Sequence, residues 1–113
     1  MLAQFLHHEV FHKNSKIFAS ELEKGKNICY NEKNIGKGDE VIVPAYTYTA
    51  SASVVCHVGA KLVLVDSQKD SFEMDYERMA DAITENTKAI IPVDLGGVPC
   101  DYARIYAIAE EKK

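Results

Sequence analysis

From Asp39 onward the chain repeats one pattern, a short apolar run followed by a stretch with helical period, and no other feature restricts its fold as much. The first run is Glu40-Val41-Ile42-Val43, stopped by Pro44, which has no backbone N–H to continue a ladder. Ala50, Val54 and Val58 then recur at helical spacing, with Thr47 or Thr49 as N-cap and Gly59 where a left-handed C-terminal cap falls. The spacing predicts a helix over 48–58. The second run, Lys61-Leu62-Val63-Leu64-Val65, lacks polar alternation, the composition of a strand covered on both faces. After turn residues at 66–71, Asp75 is placed to cap a helix carrying Tyr76, Met79, Ala80 and Ile83 on one stripe. The third run, Lys88-Ala89-Ile90-Ile91-Pro92-Val93, ends at Asp94-Leu95-Gly96-Gly97. Asp101 then caps a final helix with Tyr102, Ile105, Tyr106 and Ala109 on its inner face.

Strands separated by helices need crossovers, and crossovers impose parallel pairing. The expected architecture is therefore α/β, a three-layer αβα unit with a mainly parallel sheet. In such sheets ligands gather beyond the carboxyl ends of the strands, here the loops 44–51 and 94–101.

Residues 1–38 are read as a partly helical N-terminal segment, and 39–113 as the βαβαβα portion. Leu2, Phe5 and Leu6 suit one helix, and Ile17, Phe18 and Leu22, with Ser15 as cap, suit another. A chain of 113 residues with 47% apolar and 27% charged side chains supplies one small domain. A unit of this size buries only about two thirds of its unfolded surface, so a core that draws on further strands is marginal alone.

The formal charge of −4, from 13 basic and 17 acidic side chains scattered along the chain, offers no basic stripe for a phosphate backbone. Nucleic acid is not an expected partner. No apolar run approaches the ~20 residues that span a bilayer, and the N-terminus lacks a basic start followed by a long apolar stretch. No membrane association and a cytoplasmic location are expected. Cys29, Cys56 and Cys100 are odd in number and far apart, which suggests small buried apolar residues rather than a disulfide framework or a thiolate metal site.

One motif invites metal chemistry. His8-Glu9-Val10-Phe11-His12 matches His-Glu-x-x-His, in which two imidazoles one helical turn apart bind zinc and the glutamate serves as base. A catalytic zinc needs a third protein ligand, and only His7 and His57 remain as further histidines. No metal site is assigned, and the zinc hydrolase stands as a distant third reading.

The stretch Gly36-Lys37-Gly38-Asp39-Glu40-Val41-Ile42-Val43-Pro44-Ala45-Tyr46-Thr47-Tyr48-Thr49-Ala50-Ser51 closely resembles the DegT/DnrJ/EryC1/StrS family of sugar aminotransferases. Three further blocks follow in the family's order. They are Val58-Gly59-Ala60-Lys61 before a strand ending in Val65-Asp66, then Asp81-Ala82-Ile83-Thr84-Glu85-Asn86-Thr87-Lys88 leading into Ile90-Ile91-Pro92-Val93, then Gly97-Val98-Pro99-Cys100-Asp101. The resemblance implies the type I fold of enzymes that use pyridoxal 5′-phosphate (PLP), a homo-oligomer, and transfer of an amino group from glutamate to a nucleotide-linked keto sugar, with dehydration in a few members. By position in the family pattern, Tyr48 matches the aromatic residue that stacks on the cofactor's pyridine ring. Thr47 and Ser51 are read as ordinary helix-start residues. Asp94 stands where the family more often has histidine, so it is either a site carboxylate or a cap for the turn at Gly96-Gly97.

Other parts of the family pattern have no counterpart. The Asn-Ser-Gly-Thr segment that opens a phosphate-binding helix is expected to be deleted, with Cys29-Tyr30-Asn31 the remnant of its approach. Lys37, Lys61 and Lys88 occupy turn or strand-entry positions, where snorkelling into water is the expectation, and none matches the family's Schiff-base lysine. The chain is thus expected to be a fragment with no catalytic residue of its own and no aminotransferase activity alone. The competing reading is a non-catalytic α/β interaction module derived from the same family.

Overall fold

The computed structural model describes strands Glu9–His12 and Ser15–Phe18 and residues 35–112. In chain order the elements are β1 (Glu9–His12), β2 (Ser15–Phe18), β3 (Glu40–Pro44), α1 (Thr49–His57), β4 (Lys61–Val65), α2 (Tyr76–Ala82), β5 (Thr87–Ile90), a short 3-10 turn at Leu95–Gly97, and α3 (Tyr102–Glu111). They form one sheet in the order β2-β1-β5-β3-β4. β3 is central among the parallel strands: Val41 pairs with Leu62 of β4 on one side and Ala89 of β5 on the other.

Every residue of β3 is buried, as its unbroken apolar run requires. Its alternation divides the core. Val41 and Val43 face α1 and pack with Val55, Ala89 and Ile91, while Ile42 faces α2 and α3 and packs with Met79, Ile90 and Ile105. The result is the three-layer αβα arrangement expected from the crossovers.

Local signals placed three of the helix ends correctly. Asp75 Oδ1 accepts from the amides of Glu77 and Arg78, and Asp101 Oδ1 accepts from Arg104. Gly59 has φ of 78°, the left-handed conformation of a C-terminal cap. At the amino ends of the strands, the buried Glu40 receives Lys61 Nζ at 2.9 Å and Thr84 Oγ1 at 2.7 Å. One side chain thereby ties together the starts of β3 and β4 and the turn into β5. Its pKa is lowered, first by the Thr84 hydrogen bond and then by Lys61.

Several expectations need correction. Ser15–Phe18 is a strand, antiparallel to β1, so Ile17 and Phe18 do not begin a helix; Leu2, Phe5, Leu6 and Leu22 lie outside the described residues. β1 is likewise extended and pairs with β5 through Phe11 and His12. A strand rises about 3.3 Å per residue, so the Glu9–His12 backbone does not supply the helical turn that brings two imidazoles onto one zinc ion. His7 and His8 lie outside the described residues.

β4 packs on both faces, through Leu62 towards α1 and Val63 towards α2 and α3, but it is an edge strand with Leu64 exposed. The third ladder stops at Ile90, earlier than the apolar run suggests. Ile91 still donates to Ile42 O at 2.8 Å, and Pro92, having no N–H, interrupts the series. Cys100 is buried as expected, but Cys56 is exposed on α1.

Candidate functional site

The exposed large apolar side chains among the described residues are Tyr46, Tyr48, Leu64, Phe72 and Val98. All of them lie at or just beyond the carboxyl ends of β3, β4 and β5. A concentration of exposed apolar surface marks a place where something docks, and this edge is also where open α/β sheets bind ligands.

The first loop leaves β3 at Pro44 and is held to the neighbouring strand end by the Ala45 amide, which donates to Val65 O at 2.8 Å. Tyr48 then occupies the N-cap position of α1 with extended backbone (φ −66°, ψ 143°) and makes no side-chain cap bond. The Thr47 or Thr49 cap predicted from sequence does not form: Thr49 is already the first helical residue, and the Thr47 hydroxyl is turned inward. Thr47 Oγ1 is buried with no hydrogen-bond partner, an orphaned polar atom at the strand end. Next to it Tyr48 is 56% exposed. Ser51, one turn into the helix, is buried.

The second loop is built around Asp94. Its buried carboxylate Oδ1 accepts from the Cys100 amide at 2.9 Å and from the Tyr102 hydroxyl at 2.6 Å. Of the two roles left open by the sequence, the geometry gives Asp94 the loop-closing one. Between these contacts Gly96 and Gly97 adopt φ of 65° and 81°, a reversal that a side chain would strain. Burial, aided by the Asp94 charge, pushes the Cys100 thiol up to about 12, which disfavours the reactive thiolate.

One connection was not visible in the sequence. Glu73 and Tyr76 contact each other through Oε1 and the hydroxyl, and the Asp101 amide donates to both, at 3.0 Å and 2.7 Å. This links the loop after β4 to the start of α3. An isolated glutamate in a turn carries no signal that could have announced it.

Three of the described lysines lie far from this edge. Lys37 precedes β3, Lys61 opens β4 and Lys88 lies near the start of β5, so all three sit at the opposite end of the strands from Tyr48. Lys69, in the loop after β4, is exposed, whereas a nucleophilic lysine needs desolvation or a charged neighbour that lowers its pKa. Among the described residues no group of three or more histidine, cysteine, aspartate or glutamate side chains is arranged to hold a metal ion. No helix among them is long and apolar enough to cross a membrane.

The residues present fit one part of a PLP molecule. Tyr48 offers a wide apolar ring at an accessible position, suited to the face of a pyridine. The stretch 29–31, where an approach to a phosphate cradle is expected, lies outside the described residues.

Comparison with known proteins identifies the family and the fold. Residues 23–113 match the model of the DegT/DnrJ/EryC1/StrS aminotransferase family. A structure from Streptococcus pneumoniae, described as a sugar aminotransferase in its PLP form, is 61% identical over 70% of this chain and 20% of its own, with a TM-score of 0.69. A DegT/DnrJ/EryC1/StrS aminotransferase from Brucella abortus is 34% identical, covers 95% of this chain and 28% of its own, and has a TM-score of 0.70. A GDP-4-keto-6-deoxymannose-3-dehydratase, solved with a trapped PLP-glutamate geminal diamine, is 32% identical over 69% of this chain and 20% of its own, with a TM-score of 0.63. A curated relative from Methanocaldococcus jannaschii, an uncharacterised protein, is 45% identical over 69% of this chain and 20% of its own.

Proposed function

The chain belongs to the DegT/DnrJ/EryC1/StrS aminotransferase family, and from that premise we propose that it forms one wall of a PLP site, with Tyr48 stacking on the pyridine ring. The reaction is transfer of an amino group from glutamate to a nucleotide-linked keto sugar. The observation that carries the reading is the exposed Tyr48 ring at the carboxyl end of the central strand, fixed at the first turn of α1. Support for the cofactor comes from the Streptococcus pneumoniae structure in its PLP form. Support for a nucleotide-linked sugar comes from the relative that acts on a GDP-linked one.

When bound, PLP supplies an electron sink for a carbanion next to nitrogen. This chain's own contribution is orientation. Tyr48 has only two side-chain torsions to fix, so it presents a flat apolar face at low entropic cost. The closed Asp94–Tyr102 loop holds the adjoining strand end in place. The lysine that anchors the cofactor is supplied from outside residues 35–112.

Pyridoxamine 5′-phosphate tests the stacking reading, because it lacks the aldehyde that would react with surface amines. Titration of the isotope-labelled full chain, followed by NMR, reads even weak affinities. The amides of 46–50 are expected to shift. Tyr48→Ala should weaken the dissociation constant by about fivefold or more, with Tyr48→Phe close to the parent. Equal affinity in the alanine variant, or no binding by the parent, sinks the reading.

A further inference from the structure

Tyr48 leaves a second aromatic feature of the same edge unexplained. The rings of Tyr46 and Phe72 stack with centroids 4.9 Å apart and 17° between their planes, yet the two residues remain 55% and 64% exposed. They come from different loops. Tyr46 follows the end of β3, and Phe72 stands at the tip of the excursion between β4 and α2. That excursion is pinned shut at its base, where Ser67 bridges Met74 and the Gln68 amide donates to Glu73 O at 2.9 Å. The pair is therefore preorganised on two supported segments, which lowers the ordering cost of any ligand that uses it.

We infer that the Tyr46–Phe72 stack is the platform for the purine or pyrimidine base of the substrate, the base lying on an outer ring face as a third stacked ring. This rests on the nucleotide-linked sugar proposed above. A nucleobase matches the site in kind, because it is flat, apolar on its faces and polar at its rim, and stacking tolerates any base. The size of the feature argues for a base rather than a second copy of the chain. Two rings bury at most about 150–250 Å² each, and these are already partly covered, whereas a stable dimer needs about 800 Å² per partner. Tyr46 is also separated from Tyr48 by Thr47 alone, which puts base contact and cofactor contact on one edge of the sheet.

The test needs neither PLP nor turnover. The isotope-labelled full chain is titrated with guanosine 5′-diphosphate and uridine 5′-diphosphate, with ribose 5-phosphate as the control that lacks a base. Both nucleotides should shift the amides of 45–47 and 71–73 saturably, and the control should not. Tyr46→Ala and Phe72→Ala are each expected to weaken binding by about tenfold, with Tyr46→Phe within about twofold of the parent. Equal response to ribose 5-phosphate, or unchanged affinity in Tyr46→Ala, overturns the inference. So does a dimer in sedimentation that Tyr46→Ala dissolves, since a second copy then occupies the stack. Loss of nucleotide binding while pyridoxamine 5′-phosphate still perturbs 46–50 removes the base platform and leaves the Tyr48 reading standing. Nucleotide binding without any cofactor response does the reverse.

Discussion

The Tyr102 hydroxyl donates to Asp94 Oδ1 at 2.6 Å, joining the first turn of α3 to the end of β5. The same oxygen accepts the Cys100 amide, so one carboxylate closes the whole loop through Gly96 and Gly97. Removing the donor leaves a buried carboxylate oxygen short of a partner. A hydrogen bond to a charged group contributes about 1.5–3 kcal/mol, and Tyr102→Phe is expected to cost an amount in that range. Urea denaturation monitored by circular dichroism checks it. An unchanged midpoint would show that the loop closes without the bond.

Acid sensitivity should concentrate at the other end of the strands. The pKa of Glu40 is lowered below the ordinary carboxylate value of 4.5, mainly by the Thr84 hydroxyl and then by Lys61. A carboxyl whose folded pKa lies below its unfolded one stabilises the fold above the unfolded value. That contribution is lost as pH falls through the folded value. The melting temperature is therefore expected to drop from about pH 5 downward, and Glu40→Gln should fall less steeply over the same range. Scanning calorimetry of both proteins across that interval decides it.

The two cysteines within 35–112 differ in environment, and thiol chemistry should separate them. Cys56 is exposed on α1. Cys100 is buried, its thiol raised to about 12 chiefly by desolvation, and Sγ lies 3.2 Å from Val93 O as donor. The thiolate is the reactive species. Iodoacetamide at mildly alkaline pH should label Cys56 and spare Cys100 in the native chain, with denaturant abolishing the difference. Peptide mass mapping reads each site separately. Equal labelling before denaturation would mean that the Asp94 loop opens readily.

Legibility in the sequence followed the range of the interaction. Asp75, Asp101 and Gly59 act on amides within a few positions of themselves, and each was placed correctly from the sequence. The Tyr46–Phe72 stack and the Glu73 bridge to Asp101 join distant segments, and nothing near any of those residues signals a partner. β4 shows the intermediate case. Leu62-Val63-Leu64 reads as a strand covered on both faces, and both faces do pack, but composition does not say that β4 stands last in the order of the described strands. The short apolar run at Ile17 and Phe18 fits either period, and pairing with β1 decides for the strand. The role proposed for Tyr48 came only through the family pattern. Its exposed ring at the first turn of α1 is what the structure adds.

Lysine placement leads to the last prediction. Lys37, Lys61 and Lys88 lie at the amino ends of the strands, and Lys61 is committed to Glu40 at 2.9 Å. β3 runs five residues from Glu40 to Pro44, so at about 3.3 Å per residue it separates the two edges by roughly 17 Å. None of these three side chains can cover that distance to meet a ring held on Tyr48, and Lys69, in the loop after β4, is exposed to solvent. Incubation with pyridoxal phosphate followed by borohydride should accordingly spread low-level labelling over exposed lysines, with no residue modified stoichiometrically. Tyr48→Ala should leave the distribution unchanged, because surface amines react without a stacked ring. One lysine labelled to completion, and protected from labelling by pyridoxamine 5′-phosphate, would show that the chain carries its own anchor for the aldehyde.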